Sequence, residues 1–263
     1  MRLNPLENRV AVVAGASRGL GRGITEAFLQ AGASVVAVAR DPGPLAELAA
    51  HQPRLMLVAA DAGDPVFAGN LLSRHNPDIV ALVAGAAPLL RPLHHHTWET
   101  FSANWRSDVR MTFNWLREAL LMPLREGSRV IVMSSGAAVM GSPLSGGYAG
   151  AKATQRFLAD YAAQESQRNH LGIGITAVLP RLTPATELGR PAVIAYSARM
   201  GVTEDEYLRG MGKQVTPEIA GAAFVQLATG AEGEAGAYML TGDGPQPIRE
   251  PSSVERQTAA PKS

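Results

Sequence analysis

The chain has 263 residues, of which 46% are hydrophobic and 18% charged, and its formal net charge at pH 7 is +1. This length fits one large α/β domain or two small ones, with ample material for a core. A net charge so close to zero indicates neither a nucleic-acid footprint nor a membrane-surface patch. Because the sequence contains no cysteine, disulfides, thiolate-bound metals and thiol nucleophiles are excluded.

We do not expect the first residues, MRLNPLENRVAVVAG, to be a signal peptide. Their apolar run has no cleavage signature and is followed by glycine. The sequence has no run of 18 apolar residues that would indicate a membrane span. We therefore expect a cytoplasmic protein that binds neither membranes nor nucleic acids.

Short apolar runs alternate with longer amphipathic segments along the whole chain. In chain order the pattern predicts a strand at 9–15, a helix at 21–32, a strand at 34–40, a helix at 43–52, a strand at 54–61, a helix near 64–75, a strand at 78–85, a helix from about 98 to 122, a strand at 128–135, a helix that contains Tyr148 and runs to about Asn169, a strand at 172–180, a helix near 217–229 and a strand at 237–242. Strands that are apolar on both faces predict a parallel sheet covered on both sides. With right-handed crossovers this is a doubly wound, Rossmann-like α/β fold with three layers, in a single domain over residues 1–248.

Two segments fall outside this alternation. Residues 181–215 form an unusually long connection between a strand and a helix, and such connections are typical of lids and binding loops. The tail, residues 249–263, is rich in proline and serine, and we expect it to be disordered.

The first predicted strand runs directly into AGASRGLGRG, which has glycines at 15, 19 and 21. Glycine permits a tight turn and a close approach of the backbone to a pyrophosphate, and a helix N-terminus presents N–H groups to the phosphate charge. A glycine-rich loop alone is weak evidence, but its place between the first strand and the first helix favours a dinucleotide site.

The end of the second predicted strand, VAVARD, bears on which dinucleotide is bound. Enzymes selective for NAD often have an acid at this point, whereas an arginine suits a 2′-phosphate. This chain has Arg40 there and Arg18 in the glycine loop, and two guanidinium groups can clamp a phosphate. The pattern favours NADP(H). Asp41, one residue later, keeps NAD(H) as the less favoured alternative. The alternative interpretation of Arg40 is a solvated charge at the strand end.

The segment YAGAK places Tyr148 and Lys152 four residues apart, so on a helix they share one face. The surrounding glycines and alanines leave space beside the pair. An isolated pair of this kind is usually an ordinary surface feature, so the rest of the chain has to decide its meaning.

Taken together, these motifs resemble the short-chain dehydrogenase/reductase family, in its short single-domain branch, over roughly residues 6–245. The resemblance rests on GASRGLG, on Asp61 after the third strand, on VAG at 83–85, on VIVMSS, on YAGAK and on TPEIAGAAFVQLATG. It implies an NADP(H)-dependent oxidoreductase that interconverts a carbonyl and an alcohol on a small to medium, partly apolar substrate. It also implies a homodimer or homotetramer.

The resemblance assigns roles to individual residues. Ser135, thirteen residues before Tyr148, would orient the substrate carbonyl, Tyr148 would be the general acid or base, and Lys152 would hold the nicotinamide ribose and favour the phenolate. The implied cofactor-binding residues are Gly15, Ser17, Arg18, Gly19, Leu20, Gly21, Arg40, Asp61, Ala62, Gly85, Tyr148, Lys152, Pro180 and Thr183. The implied neighbours of the substrate are Ala137, Pro143, Leu144 and Arg181.

The chain also departs from the family pattern. The family's NNAG after the fourth strand is LVAG here, and its PG after the sixth strand is PR. The catalytic asparagine of the family aligns best with Asp108, with Asn104 as the rival one helical turn earlier. Asp108 either serves as the fourth catalytic residue or lies on the helix surface, paired with Arg106 or Arg110.

These departures leave two other function classes open, since a fold does not fix a function. One is a non-redox enzyme, such as a cyclase, dehydratase or isomerase that uses Tyr148 as its acid or base. The other is a cofactor-sensing binding protein. The HHH run at 94–96 predicts no metal site, because three consecutive side chains rarely converge on one ion. Trp98, Trp105 and Trp115 indicate a core or subunit interface rather than a ligand site.

Overall fold

The apolar runs form an eight-stranded sheet in the order β3-β2-β1-β4-β5-β6-β7-β8. The structure, a computed structural model, describes residues 4–230 and 236–248. The strands are β1 (Val10–Ala14), β2 (Ser34–Ala39), β3 (Leu55–Ala59), β4 (Ile79–Leu82), β5 (Arg129–Met133), β6 (Gly174–Pro180), β7 (Ala237–Thr241) and β8 (Gly244–Pro247). All neighbouring strands are parallel except β7 and β8, which pair antiparallel. The doubly wound, Rossmann-like prediction is confirmed.

Helices cover both faces of this sheet. They are α1 (Gly19–Gln30), α2 (Ala46–His51), α3 (Pro65–His75), α4 (Trp98–Phe101), α5 (Arg110–Leu121), α6 (Ala137–Met140), α7 (Gly146–Arg168), α8 (Gly189–Met200), α9 (Glu204–Gly210) and α10 (Pro217–Thr229). One core lies between the sheet and α1, α2 and α10, and the other between the sheet and α3, α5 and α7. Within β1, Val13 belongs to the first core and Val12 to the second, and both are fully buried. A strand buried on both faces explains its uninterrupted apolar run.

Local sequence signals explain where several helices begin and end. The Asp64 side chain caps α3 by accepting hydrogen bonds from the backbone N–H groups of Val66 (2.8 Å) and Phe67 (3.1 Å). Pro65 and Pro217 stand in the first turns of α3 and α10, where a missing N–H costs nothing. Gly230 ends α10 in a left-handed conformation.

The structure differs from the prediction in three places. The helix predicted from about 98 to 122 is interrupted: α4 is followed by a π-helical turn (Trp105–Val109) before α5 begins. The 181–215 connection contains α8 and α9, whose polar and small residues hid the helical period. The last strand, β8, has the sequence GPQP, and two prolines are tolerated there because it is an edge strand.

The strand order reverses direction between β1 and β4, and the carboxyl ends of the parallel strands meet at one edge of the sheet. In open α/β sheets, ligands bind in the crevice at such a reversal. Across residues 4–230 and 236–248, we find no helix with the length and apolar character needed to cross a membrane. The predicted disordered tail, 249–263, lies outside the described residues.

Candidate active site

A cleft of about 1240 Å³ lies at the carboxyl edge of the sheet. Pockets for one drug-sized ligand occupy roughly 300–1,000 Å³, so this cleft has room for a dinucleotide and a second small molecule. The predicted cofactor-binding residues all line it, from Gly15 in the first loop to Thr183 after β6. The topology therefore brings together residues that are far apart in the sequence.

The glycine loop packs closely against neighbouring backbone at the start of α1. Gly15 has φ +94°, and a Cβ there would lie 2.5 Å from the Ala84 backbone N. A Cβ on Gly21 would lie 1.9 Å from the Gly15 carbonyl oxygen. Arg18, at the N-cap position, makes no side-chain hydrogen bond to the helix end. The first N–H groups of α1 thus remain available for a phosphate, and these residues fit a dinucleotide.

The loop after β3 lines one part of the cleft and is held by hydrogen bonds. The Asp61 side chain accepts a hydrogen bond from the Gly63 backbone N (2.9 Å). Trp115, which is 1% exposed, donates from its indole N–H to the Ala62 carbonyl at 2.8 Å. The tryptophan on α5 is therefore a core residue that also holds this loop in place.

Two arginines, Arg18 and Arg40, line the cleft. Arg40 is exposed just beyond β2. The Arg18 guanidinium donates to the Glu187 carboxylate at 2.6 Å, and both side chains remain about 70% exposed, at 69% and 75%. Asp41 uses one carboxylate oxygen locally, accepting from the Gly43 backbone N at 2.9 Å.

Lys152 is a lining residue of the cleft whose side chain is only 4% exposed. Its ammonium is 3.2 Å from Asp108 Oδ2, donates to Gln155 Oε1 at 2.7 Å and lies 3.4 Å from the Met133 carbonyl. It is also 5.4 Å from the centre of the Tyr148 ring. The lysine thus reaches both the phenol and a buried carboxylate.

The charge of Lys152 is secured by these neighbours. Burial acts to lower the pKa of Lys152, but the negative charge of Asp108, together with that of an ionised Tyr148, outweighs it and raises the pKa above its usual 10.5. Lys152 is therefore a cation throughout the neutral range.

Asp108 is fully buried, so the alternative of a surface pairing with Arg106 or Arg110 is wrong. The π-helical turn directs it inward, where Oδ1 accepts from the Ala86 backbone N (2.9 Å) and the Ser107 hydroxyl (2.7 Å). Oδ2 makes no hydrogen bond of regular geometry, so its contact with Lys152 is chiefly an attraction between charges.

Two neighbouring residues fit around this carboxylate. The rival Asn104 instead donates from its amide to the Ala86 carbonyl at 2.8 Å, away from the lysine. A Cβ on Gly85 would come within 2.9 Å of Asp108 Oδ2 and 3.4 Å of Lys152 Nζ. Glycine at this position therefore leaves the space that the ion pair occupies.

Ser135 and Tyr148 also line the cleft and are half-buried, whereas Lys152 is buried. Ser135 follows β5, and its hydroxyl accepts a hydrogen bond from the Ala137 backbone N at 3.2 Å. The preceding residue, Ser134, donates to the Lys152 carbonyl at 2.7 Å. This bond ties the start of α7 to the end of β5, so the serine and the tyrosine are held by packed elements.

Three of the four predicted substrate neighbours line the cleft: Ala137, Pro143 and Arg181. Leu144 does not, because it is 7% exposed and its side chain packs into the interior. The adjacent Ser142 lines the cleft instead.

Sequence reasoning missed two tyrosines that also line this end of the cleft. The Tyr196 hydroxyl, on α8, hydrogen-bonds the Ser142 hydroxyl, which also accepts from the Ser145 hydroxyl at 2.7 Å. Tyr207, on α9, stacks on Tyr196 with ring centres 6.4 Å apart and planes 13° from parallel. Their only signal in the sequence was their place within the 181–215 segment.

Comparisons with known proteins identify the family and agree with the fold. A profile of the family described as "short chain dehydrogenase" matches residues 9–195. Versicolorin reductase 1 of Aspergillus parasiticus is 35% identical over 158 residues, which cover 56% of this chain and 60% of that protein. The match thus spans less than two thirds of that relative.

Two further comparisons cover more of the chain. The hydroxynaphthalene reductase-like protein Arp2 of Metarhizium robertsii is 31% identical over 187 residues, covering 66% of this chain and 68% of its own. A crystal structure of a short chain dehydrogenase from Mycobacterium avium superposes with a TM-score of 0.75 and 21% identity, covering 94% of this chain and 87% of that one. The structural likeness supports the shared fold.

Proposed function

Because the chain belongs to the short-chain dehydrogenase family, whose members use a nicotinamide cofactor, we propose that it is an NADP(H)-dependent oxidoreductase. It interconverts a carbonyl and an alcohol on a small to medium, partly apolar substrate. The observation that carries this proposal is the arrangement of Ser135 and Tyr148 on the cleft wall, with the Lys152 cation directly behind the phenol. The bound dinucleotide supplies the hydride in reduction and accepts it in oxidation.

The protein's own residues handle orientation and the proton. The Ser135 hydroxyl donates a hydrogen bond to the carbonyl oxygen of the substrate. In reduction the Tyr148 hydroxyl gives its proton to that oxygen, and in oxidation the phenolate takes the proton from the alcohol. The fixed charge of Lys152 stabilises the phenolate that remains after proton transfer.

Selectivity for NADP(H) is supported by the charges at the far end of the cleft. Arg40 is exposed to a ligand there. One of the two carboxylate oxygens of Asp41 already accepts a hydrogen bond from the Gly43 backbone N. The exposed ion pair of Arg18 and Glu187 contributes at most about 1 kcal/mol to stability. A 2′-phosphate can therefore replace Glu187 as the partner of Arg18 with little loss of free energy. Together the two arginines provide bidentate donors for a dianionic phosphate.

A partly apolar substrate is supported by the opposite end of the cleft. Its lining there is dominated by apolar side chains and by the two stacked tyrosines: Pro88, Leu90, Met140, Pro143, Leu188, Tyr196 and Tyr207. Aromatic and aliphatic walls bury carbon surface, and the tyrosine and serine hydroxyls supply hydrogen bonds for an oxygenated ligand.

We also propose that two or four copies of the chain associate through the outer faces of α5 and α7. These adjacent helices expose large apolar side chains, namely Phe113 (50%) on α5 and Phe157 (61%) and Tyr161 (53%) on α7. Trp105 (40%) is exposed in the π-helical turn before α5. Phe157 and Tyr161 pack against each other with ring centres 5.9 Å apart. Large exposed apolar side chains mark interaction sites, and the family's tendency to form oligomers suggests a second copy of the chain as the partner.

The proposed function is tested by a panel of carbonyl compounds in the presence of NADPH or NADH. The panel includes an aromatic hydroxynaphthalene-type ketone and a ketopentose, with a saturated cyclic ketone as a simpler apolar compound. We expect one mole of NADPH to be consumed for each mole of alcohol formed. Product formation without NADPH consumption would show a non-redox enzyme, and binding of the dinucleotide without turnover of any compound would favour a cofactor sensor.

A further inference from the structure

Gln155 is a fully buried polar residue on α7, one helical turn after Lys152. Its Oε1 accepts a hydrogen bond from the Lys152 ammonium at 2.7 Å. Its Nε2 donates to the backbone carbonyl of Asp108 at 3.2 Å and to the Thr112 hydroxyl at 2.6 Å. The carboxamide thus uses both its acceptor and its donors in the interior.

The orientation of this amide follows from the chemistry of its neighbours. An ammonium can only donate hydrogen bonds and a backbone carbonyl can only accept them. Oε1 must therefore face the Lys152 ammonium, and Nε2 must face the backbone carbonyl of Asp108. The reverse orientation would oppose donor to donor on one side and acceptor to acceptor on the other.

The amide also suits the charge of the cluster. In the described residues, the ionisable groups that face the Lys152 ammonium are Asp108, from the π-helical turn, and Tyr148, from α7. Lys152 and Asp108 together have no net charge, and the neutral Gln155 adds an acceptor without adding a charge. An apolar side chain of the same size would leave the ammonium one acceptor short in a dry interior.

We propose that Gln155 is a positioning residue that holds the Lys152 ammonium between Asp108 and the cleft, and so fixes its approach to Tyr148 and to the cofactor ribose. The catalytic consequence rests on the proposed function. The effect on Lys152 itself does not, and it can be measured in the protein without cofactor or substrate.

The sequence offers a direct measurement, because its lysines are Lys152, Lys213 and Lys262 alone. In protein labelled with ¹³C at lysine Cε, three resonances report the charge of each amine as the pH is raised. The variant Gln155→Met keeps the length of the side chain and removes the acceptor. Gln164→Met is the matched control, since Gln164 is exposed on the same helix. The exposed Lys213 serves as an internal reference.

We expect the Lys152 resonance of Gln155→Met to titrate about one pH unit below that of the parent, because losing one hydrogen bond to a charged group is worth about that much. The dissociation constant for NADPH, measured by energy transfer from tryptophan, should rise about tenfold. Gln164→Met should match the parent in both measurements.

The proposal is overturned if Gln155→Met and Gln164→Met give the same Lys152 titration. If the Lys152 resonance shifts but the parent protein binds no dinucleotide, the positioning of Lys152 stands and the proposed function fails. Should Gln155→Met not fold, Gln155→Glu takes its place: the added carboxylate should keep Lys152 charged to a higher pH than in the parent. An unchanged titration in that variant would equally overturn the proposal.

Discussion

Replacing Asp108 by asparagine tests the most unusual part of the site. Both oxygens of Asp108 face donors: Oδ1 faces the Ala86 N–H at 2.9 Å, and Oδ2 faces the Lys152 ammonium at 3.2 Å. A carboxylate accepts on both sides, whereas a carboxamide has one oxygen and one NH₂ group. In Asp108→Asn, whichever way the amide is turned, an N–H group opposes a donor as long as Lys152 keeps its proton. The substitution removes the charge of the ion pair and also leaves one hydrogen-bond conflict.

Two estimates bound the loss of stability that Asp108→Asn should cause. Removing one member of a buried ion pair typically costs about 3–5 kcal/mol. Lys152 can limit this cost by releasing its proton, which at pH 8 and from a usual pKa of 10.5 costs about 3.4 kcal/mol. We therefore expect Asp108→Asn to lower the free energy of unfolding by about 3 kcal/mol at pH 8. At about 2 °C per kcal/mol for a chain of this length, the melting temperature should fall by about 6 °C.

The pH dependence of this loss has a definite sign. In the parent, the pKa of Lys152 is raised on folding, so the stability from its charge is present below pH 10.5 and is lost as the pH rises through the folded value. In Asp108→Asn, burial is no longer offset by the carboxylate, so folding favours the neutral amine. The free energy of unfolding of the variant should therefore rise with pH below 10.5. The difference in free energy of unfolding between variant and parent should narrow over the same range.

The assay is urea unfolding followed by tryptophan fluorescence at pH 7, 8 and 9.5. Asp243→Asn is the matched control, because Asp243 pairs with Lys213 at 2.9 Å while both side chains stay 65% or more exposed. That exposed pair should contribute less than about 1 kcal/mol. A loss no larger than that of the control, or a gap that widens with pH, would refute the assignment of Asp108 as the charge partner of Lys152.

Three further predictions concern the cofactor, the proton and the subunit interface. Tyr148→Phe should lower turnover by about a hundredfold or more while leaving the dissociation constant for NADPH near that of the parent; full activity would exclude Tyr148 as the acid, and Tyr161→Phe on the same helix is the control. The parent should bind NADPH at least about tenfold more tightly than NADH, and Arg40→Asp should weaken NADPH selectively in fluorescence titrations; equal affinity of the parent for both dinucleotides would contradict the phosphate role of Arg40. Phe157→Glu should shift sedimentation towards a smaller species at unchanged helix content, and an unchanged species would place the interface elsewhere.

The layered fold was predictable because its information is local and repeated. Strands such as β1 are buried on both faces, so their apolar runs stand out, and the glycine loop marks the first turn. The interruption between α4 and α5 was not predictable in this way. A π-helical turn adds a residue to one turn without a distinct sequence pattern, and here it is what directs Asp108 inward.

The candidate site likewise has features that local sequence spacing predicts and features that it does not. The spacing of Tyr148 and Lys152 on one helix predicts that they share a face, and the structure shows it directly. Gln155 lies three residues after Lys152, so the same rule predicts its side of the helix but not its partners, which come from the π-helical turn and α5. Tyr196 reaches the cleft only because α8 folds over Ser142, a contact between segments more than fifty residues apart.

The hydroxyl cluster of Ser142, Ser145 and Tyr196 also has a consequence for protein engineering. It joins the 181–215 segment to the loop between α6 and α7, so neither segment keeps its shape when the other is replaced. Grafting a relative's 181–215 segment to change substrate preference would leave unmatched hydroxyl groups facing the cleft, unless residues 142–145 were exchanged with it. The two segments, although distant in the sequence, form one transplantable module.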